Sequence, residues 1–353
     1  MALLPVSGTP MDSSIAIFLA QDGILNGSIY ALLAVAFVIL FSVTRVIFVA
    51  QGDFVAYGGL TLSALERGQT PGSLWVLLVF GIVAGLLELG RARGFGLRQR
   101  YRAIILAYFL LPCAVAAAHW LGMGELNGAC RILLALALVV PLGPYIYVIF
   151  FKGLANSSTL NLLIVSVGVH WVLTGVGLLS FGAEGYRTNE MLSAVYQIGP
   201  LTITSQSLSV IVLTVAIMLV LYFFFNRSLE GKALRATAIS TRGARLVGIS
   251  AESAGTRAFT MASAIGAASG ILISPITTLY YDSGFLIGLK GFIAAIIGGF
   301  ASYPAAVIGA LGIGLAEAFC SFWASALKDA IVFGLVIPVL IWRSLLSTHP
   351  EEE

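Results

Sequence analysis

Residues 207–225, SLSVIVLTVAIMLVLYFFF, contain no charged side chain, and neither do residues 23–43, GILNGSIYALLAVAFVILFSV. As helices rising about 1.5 Å per residue, both runs can cross about 30 Å of hydrocarbon. Further apolar runs of similar length fall at 47–65, 73–90, 103–122, 130–150, 160–180, 257–275, 285–300, 304–323 and 329–345. With 59% of its 353 residues apolar and 10% charged, the chain cannot solvate the surface of a soluble domain. Backbone polar groups in lipid are satisfied only within helices or closed barrels, and these runs do not alternate with polar residues as barrel strands must. The expected fold is therefore all-α, a polytopic transmembrane helical bundle of about 10–11 spans.

Two runs are interrupted, the second by Gln51, Gly52 and Asp53 and the ninth by Gly284, Gly288, Lys290 and Gly291. Both are expected to be broken or re-entrant. Residues 1–22 read as an extracytoplasmic N-terminal segment without the basic region or cleavage site of a removable signal peptide. The transmembrane domain covers 23–346, and 347–353 form an acidic cytoplasmic tail. If every run crosses once, one side receives Arg45, Arg91, Arg93, Arg98, Arg100, Arg102, Lys152, Arg227, Lys232, Arg235, Arg242, Arg245, Arg257 and Arg343. The other side receives Arg67, Arg131, Arg187 and Lys328, with Lys290 inside a run. Basic residues stay cytoplasmic, so the C-terminus is placed inside and the N-terminus outside. One miscounted span between the two basic loops would destroy this asymmetry.

Catalytic chemistry is thin. Cys113, Cys130 and Cys320 form no CxxC pair and have no histidines at metal-ligand spacing, so they read as small apolar side chains and no metal is expected. His170 is a lone intramembrane imidazole that either relays protons or hydrogen-bonds across a helix pair. No Ser/His/Asp set or paired-carboxylate site can be assembled, and an enzyme acting alone is not expected. The nearest approach to a phosphate-binding loop, Glu230-Gly231-Lys232-Ala233, lacks the first glycine and the magnesium-holding hydroxyl. The loops are too short for a nucleotide-binding domain. No cofactor is expected on this chain, nor any nucleic-acid partner, and an ATP-driven mechanism needs another polypeptide.

The longest basic loop, 226–256, carries helix signals. Asn226 or Ser228 can cap a helix through Leu229, Ala233, Leu234 and Ala238, Ser240 or Thr241 can cap a second short one, and Gly248 supplies a left-handed stop. The second helix, bearing Arg242 and Arg245, is a knob that a cytoplasmic subunit can grip. The simpler reading is a charged loop that fixes topology and touches anionic membrane lipid.

GKALRATAISTRGARLVGI, followed by a span and GFLIGLKGFIAAIIGGFASYPAAVIGALGIGLAEAF, resembles the permease subunits of ABC importers for branched-chain and other hydrophobic amino acids. GILNGSIYALLAVAFVILFSVTRVIFVAQGDFVAYGG resembles the opening helices of the same family. The likeness covers residues 23–66 and, more loosely, 144–346. It implies a multi-pass protein of the bacterial inner membrane, working as half of a translocation pathway beside a second homologous permease. It also implies two ABC ATPase subunits, which would carry ATP and magnesium, and an extracytoplasmic solute-binding protein. Coupling to the ATPases would fall to Arg235, Ser240, Thr241, Arg242, Gly243, Ala244, Arg245 and Gly248. The acidic position of the family's Glu-Ala-Ala-x-x-x-Gly loop is here the basic Arg242, while Ala244 and Gly248 keep the pattern. Residues 91–140 look like a two-span insertion, either peripheral packing or an added lipid or partner contact.

Ionisable groups inside spans must face protein or water and find partners. Asp53, Lys290 and Glu317 are the candidates, with Lys290 and Glu317 an expected pair that either locks helices or meets substrate. Asn26, Tyr30, Gln51, Ser166 and Tyr281 are further candidates for the pathway, and Gly52, Gly58, Gly59, Gly291, Gly298 and Gly299 permit close helix approach. The competing reading is a stand-alone secondary transporter or channel, which would need a chain of intramembrane carboxylates or histidines.

Overall fold

The computed structural model describes residues 13–91, 104–122, 127–154, 157–190, 194–198, 201–300 and 302–346. The expected segment before Ser13, the basic side chains from Arg93 to Arg102 and the 347–353 tail lie outside the described residues.

Helix α1, Ser13–Thr44, begins ahead of the expected run at 23, because no proline interrupts the sequence from 13 to 44. It is the central post, buried almost without interruption from Leu25 to Leu40. Helix α2 is Asp53–Glu66, entered through a 3₁₀ turn at Val49–Gly52, and α3 is Gly72–Arg91. A π-helical turn, Leu106–Leu110, leads into α4, Leu111–Gly122. One bent span then runs through α5, Gly128–Val139, and α6, Leu142–Ile146, to Leu154. The bend follows from Pro144, which has no N–H to give the Val140 carbonyl four residues earlier. Ser263 Oγ, at 2.7 Å, and the Gly143 N–H, at 3.2 Å, donate to that carbonyl instead, so the freed group is satisfied inside the protein.

Helix α7 is Thr159–Phe181, and a small hairpin, β1 Val195–Ile198 with β2 Leu201–Thr204, precedes α8, Ser205–Arg227. The hairpin is the one departure from the all-α expectation among the described residues. Then come α9 Leu229–Ile239, α10 Thr241–Leu246, α11 Ala251–Ile273, α12 Ser283–Ile297 and α13 Tyr303–Trp323. The last apolar run is broken into α14, Lys328–Gly334, and α15, Val336–Leu346. Among the described residues seven helices are long and apolar enough to cross a membrane. The other four expected runs are the shorter α2, Leu106–Trp120, α12 and the α14–α15 pair.

α13 lies along α1, where a methyl on Gly314 would sit 2.3 Å from the Gly23 carbonyl oxygen. Such backbone contact is how helices associate when lipid removes the hydrophobic drive. The two ends of the bundle sort the charges. At one end Lys152 bridges Glu88 at 2.7 Å and Glu252 at 3.2 Å, and Arg257 meets Glu230. At the other, the Arg67 guanidinium lies over the Tyr186 ring and Arg187 Nε donates to the Pro275 carbonyl.

Candidate functional site

α2 and α12, at 14 and 15 residues, span only about 20 Å each, so each leaves part of its crossing to non-helical chain. The ninth run is not broken at its glycines, since Gly284, Gly288, Lys290 and Gly291 all lie within α12, and the first turns of that helix meet the 3₁₀ turn ahead of α2. A Cβ on Gly52 would lie 2.0 Å from the Gly284 carbonyl oxygen, and one on Gly284 would lie 2.2 Å from the Gly52 oxygen. Gln51, Gly52 and Asp53 are buried there, as irregular backbone at this depth must be. Ser166 Oγ on α7 accepts the Val49 N–H at 2.6 Å, and Gln51 Nε2 donates to the Ala262 carbonyl of α11. Tyr57 reaches the Leu173 carbonyl at 2.8 Å, and Tyr281, half-buried, packs over Gly177 beside it. Below the break toward the basic end, the Phe48 ring contacts Phe54, Phe151 and Phe259 with centroids 5.0–5.9 Å apart.

Asp53 heads α2, where a carboxylate complements the positive helix end. Its two oxygens lie 2.9 and 3.0 Å from His170 Nδ1, so that nitrogen carries the proton it donates. His170 in turn stacks on Phe285 in the first turn of α12, with ring centroids 4.6 Å apart. One imidazole thus fastens α7 to the starts of both short helices. Along the sequence His170 stands alone because its partner Asp53 lies 117 residues away; the signal for the pair is Asp53 itself, a carboxylate interrupting an apolar run.

The second polar cluster lies on α1, α12, α13 and α14. Lys290 Nζ sits 2.5 Å from Glu317 Oε1 and 3.1 Å from Asp329, and the Tyr30 hydroxyl donates to Glu317 Oε2 at 2.6 Å. Lys290, Glu317 and Tyr30 are all buried, and Asn26 is half-buried one turn before Tyr30. Asp329 went unnoticed in the sequence because it begins a run and reads as exposed. Lys290→Ala should lower the stability of the purified protein by about 3–5 kcal/mol, since it strands the buried Glu317 carboxylate, whereas Glu317→Ala leaves Lys290 with Asp329 and should cost less. The double variant should cost at least about 1 kcal/mol less than the sum; strict additivity in that cycle removes the coupling.

The long basic loop folds as its caps dictate. Ser228 accepts the Gly231 N–H to start α9, and Ser240 accepts the Gly243 N–H to start α10. Gly248 closes the turn at φ 83°, where a side chain is disfavoured. Ala244 is buried, whereas Thr241, Arg242, Gly243, Arg245 and Gly248 are exposed. Leu246 and Val247, 89% and 74% exposed, form an apolar tip beside the two arginines. Arg235 Nη2 ties α9 to the end of α8 through the Phe225 carbonyl and Asn226 Oδ1. No group of three or more potential metal ligands occurs among the described residues.

Residues 101–340, more than half of the chain, match the family model described as branched-chain amino acid transport system, permease component. The high-affinity branched-chain amino acid transport system permease protein LivH of Escherichia coli K12 is 26% identical over 340 residues, covering 94% of this chain and 95% of its own. The corresponding permease protein BraD of Pseudomonas aeruginosa is 26% identical over 304 residues, covering 83% of this chain and 97% of its own. A solved structure of PsaBC from Streptococcus pneumoniae covers 91% of this chain and 89% of its own at 11% identity, with a TM-score of 0.37, too distant to bear on the fold. The apolar helices and these bacterial relatives make the chain a multi-pass protein of the inner membrane, a transporter component and not an enzyme in itself. The capped basic loop, the apolar spans and the family match converge: the chain belongs to the permease components of branched-chain amino acid transport systems.

Proposed function

We propose that this chain lines half of the pathway of an ATP-driven importer for branched-chain amino acids or similar small solutes. A second homologous permease supplies the other half. Two ABC ATPase subunits, holding ATP and magnesium, dock on the cytoplasmic knob, and an extracytoplasmic binding protein delivers substrate to the opposite face. The observation that carries this reading is the α10 knob, an N-capped helix with Leu246 and Val247 exposed at its tip. Exposed apolar side chains there are stable in a complex that covers them. The junction of Gly52 and Gly284, with Asp53, His170 and Ser166 around it, is the place where the pathway can change shape, because half-helices articulate where their backbones break. Residues 91–140, as an added pair of spans, belong to the same proposal.

The test is ATP-dependent leucine uptake in vesicles reconstituted with the chain and the proteins that co-purify with it. Gly248→Val, or Arg242→Glu with Arg245→Glu, should leave insertion intact while reducing ATP-coupled uptake at least about tenfold, the range of losses when one hot-spot contact is removed. Normal uptake with normal hydrolysis in those variants would remove the knob from the coupling path. The second reading, a stand-alone proton-coupled carrier, draws on the buried Asp53–His170 pair. It requires uptake driven by a pH gradient without ATP or partner proteins.

A further inference from the structure

Between α1, α8 and α13 the protein leaves a groove of about 560 Å³ that none of the described residues fills. Its walls include Val35, Met218, Leu221, Phe225, Tyr303 and Val307, and Ile308 at its rim is 70% exposed. From Met218 to Phe225 it runs two helical turns, about 10 Å, along α8. Apart from the rings of Tyr222 and Tyr303 the lining is apolar, and the charged and amide groups, Arg235 and Asn226, stand at one end, at the mouth. In the orientation that the basic loops imply, that end is the cytoplasmic one, since α8 finishes there at Arg227 and α13 starts there at Tyr303. Arg235 is held by one nitrogen, Nη2, against the Phe225 carbonyl and Asn226. Among the described residues nothing is bonded to its Nε or Nη1, which leaves donors for an anion.

We propose that this groove binds one acyl chain of an anionic phospholipid of the inner leaflet, with Arg235 holding the phosphate. Charge complementarity selects this occupant: an apolar slot opening sideways, capped by a guanidinium at headgroup depth, matches a tail joined to a phosphate. A peptide would need backbone partners along the walls, and those walls are apolar. Arg235 sits on α9, one turn before the Ser240 cap of the coupling knob. A lipid in the groove therefore braces α9 against α8 and stiffens the knob's attachment.

The full-length chain, purified with its co-purifying partners in mild detergent, would be titrated with phosphatidylglycerol or phosphatidylcholine and the retained lipid counted by native mass spectrometry. The wild type should retain phosphatidylglycerol over phosphatidylcholine by about fivefold, because both carry a phosphate but the choline ammonium cancels the net negative charge that Arg235 would meet. Arg235→Gln should abolish that preference. Leu221→Trp, which fills the groove without touching Arg235, should reduce the retained phosphatidylglycerol by about the same factor. Equal retention of both lipids by the wild type, or undiminished phosphatidylglycerol in Leu221→Trp, overturns the proposal. So does a Leu221→Cys chain that cross-links across the groove to a second permease, which would make the groove a subunit interface.

Discussion

Gly52→Val should cut substrate uptake by about a hundredfold or more, an effect of about 3 kcal/mol, at the upper end for overpacking a filled site. The new Cβ would sit 2.0 Å from the Gly284 oxygen, 2.8 Å from the Gly284 carbonyl carbon and 2.9 Å from the Gly288 Cα. These are backbone atoms of α12, so no rotamer change relieves the overlap. Relief requires moving one half-span against the other, which drags Asp53 from His170 and Gly284 from its seat. Gly175→Ala is the control, since nothing lies within 4 Å of an added Cβ there; it should remain within about twofold of the wild type. Uptake and detergent-solubilised yield should be measured together. A Gly52→Val protein that accumulates and transports normally would show that the turn at Gly52 does not meet α12.

His170→Leu should destabilise the protein by about 3–5 kcal/mol, whereas Asp53→Asn should cost about 1 kcal/mol. The asymmetry follows from charge. Removing the imidazole leaves a buried carboxylate without its donor, because both Asp53 oxygens turn to Nδ1. Removing the carboxylate charge leaves a neutral imidazole still able to donate Nδ1–H to the asparagine oxygen and to stack on Phe285. The double variant Asp53→Asn/His170→Leu should therefore be more stable than His170→Leu alone. Thermal unfolding of the purified chain measures all three, and a double variant as unstable as the sum of the two singles would sink the pairing.

These outcomes depend on contacts of different reach, and reach separates what could be read in advance. The caps at Ser228 and Ser240 and the left-handed turn at Gly248 were legible because each is settled within a few residues. The Lys290–Glu317 pair was legible for another reason: few opposite charges were available in so apolar a chain, and buried charges must pair. Arg235, by contrast, was read as a coupling residue, and its place at the mouth of a groove depends on where α8 and α13 lie.

The sequence by itself determined the membrane-spanning class, the interruption of the second run ahead of Asp53 and the capped helices of the basic loop. These follow from run length, local hydrogen bonding and charge, which operate along the chain. Only the tertiary structure decided that the turn at Gly52 touches α12 at Gly284, that His170 answers Asp53 across 117 residues, and that α8 and α13 leave an open groove. Helix faces meet through packing of side chains distant in sequence, and no local pattern in this chain specifies which face meets which.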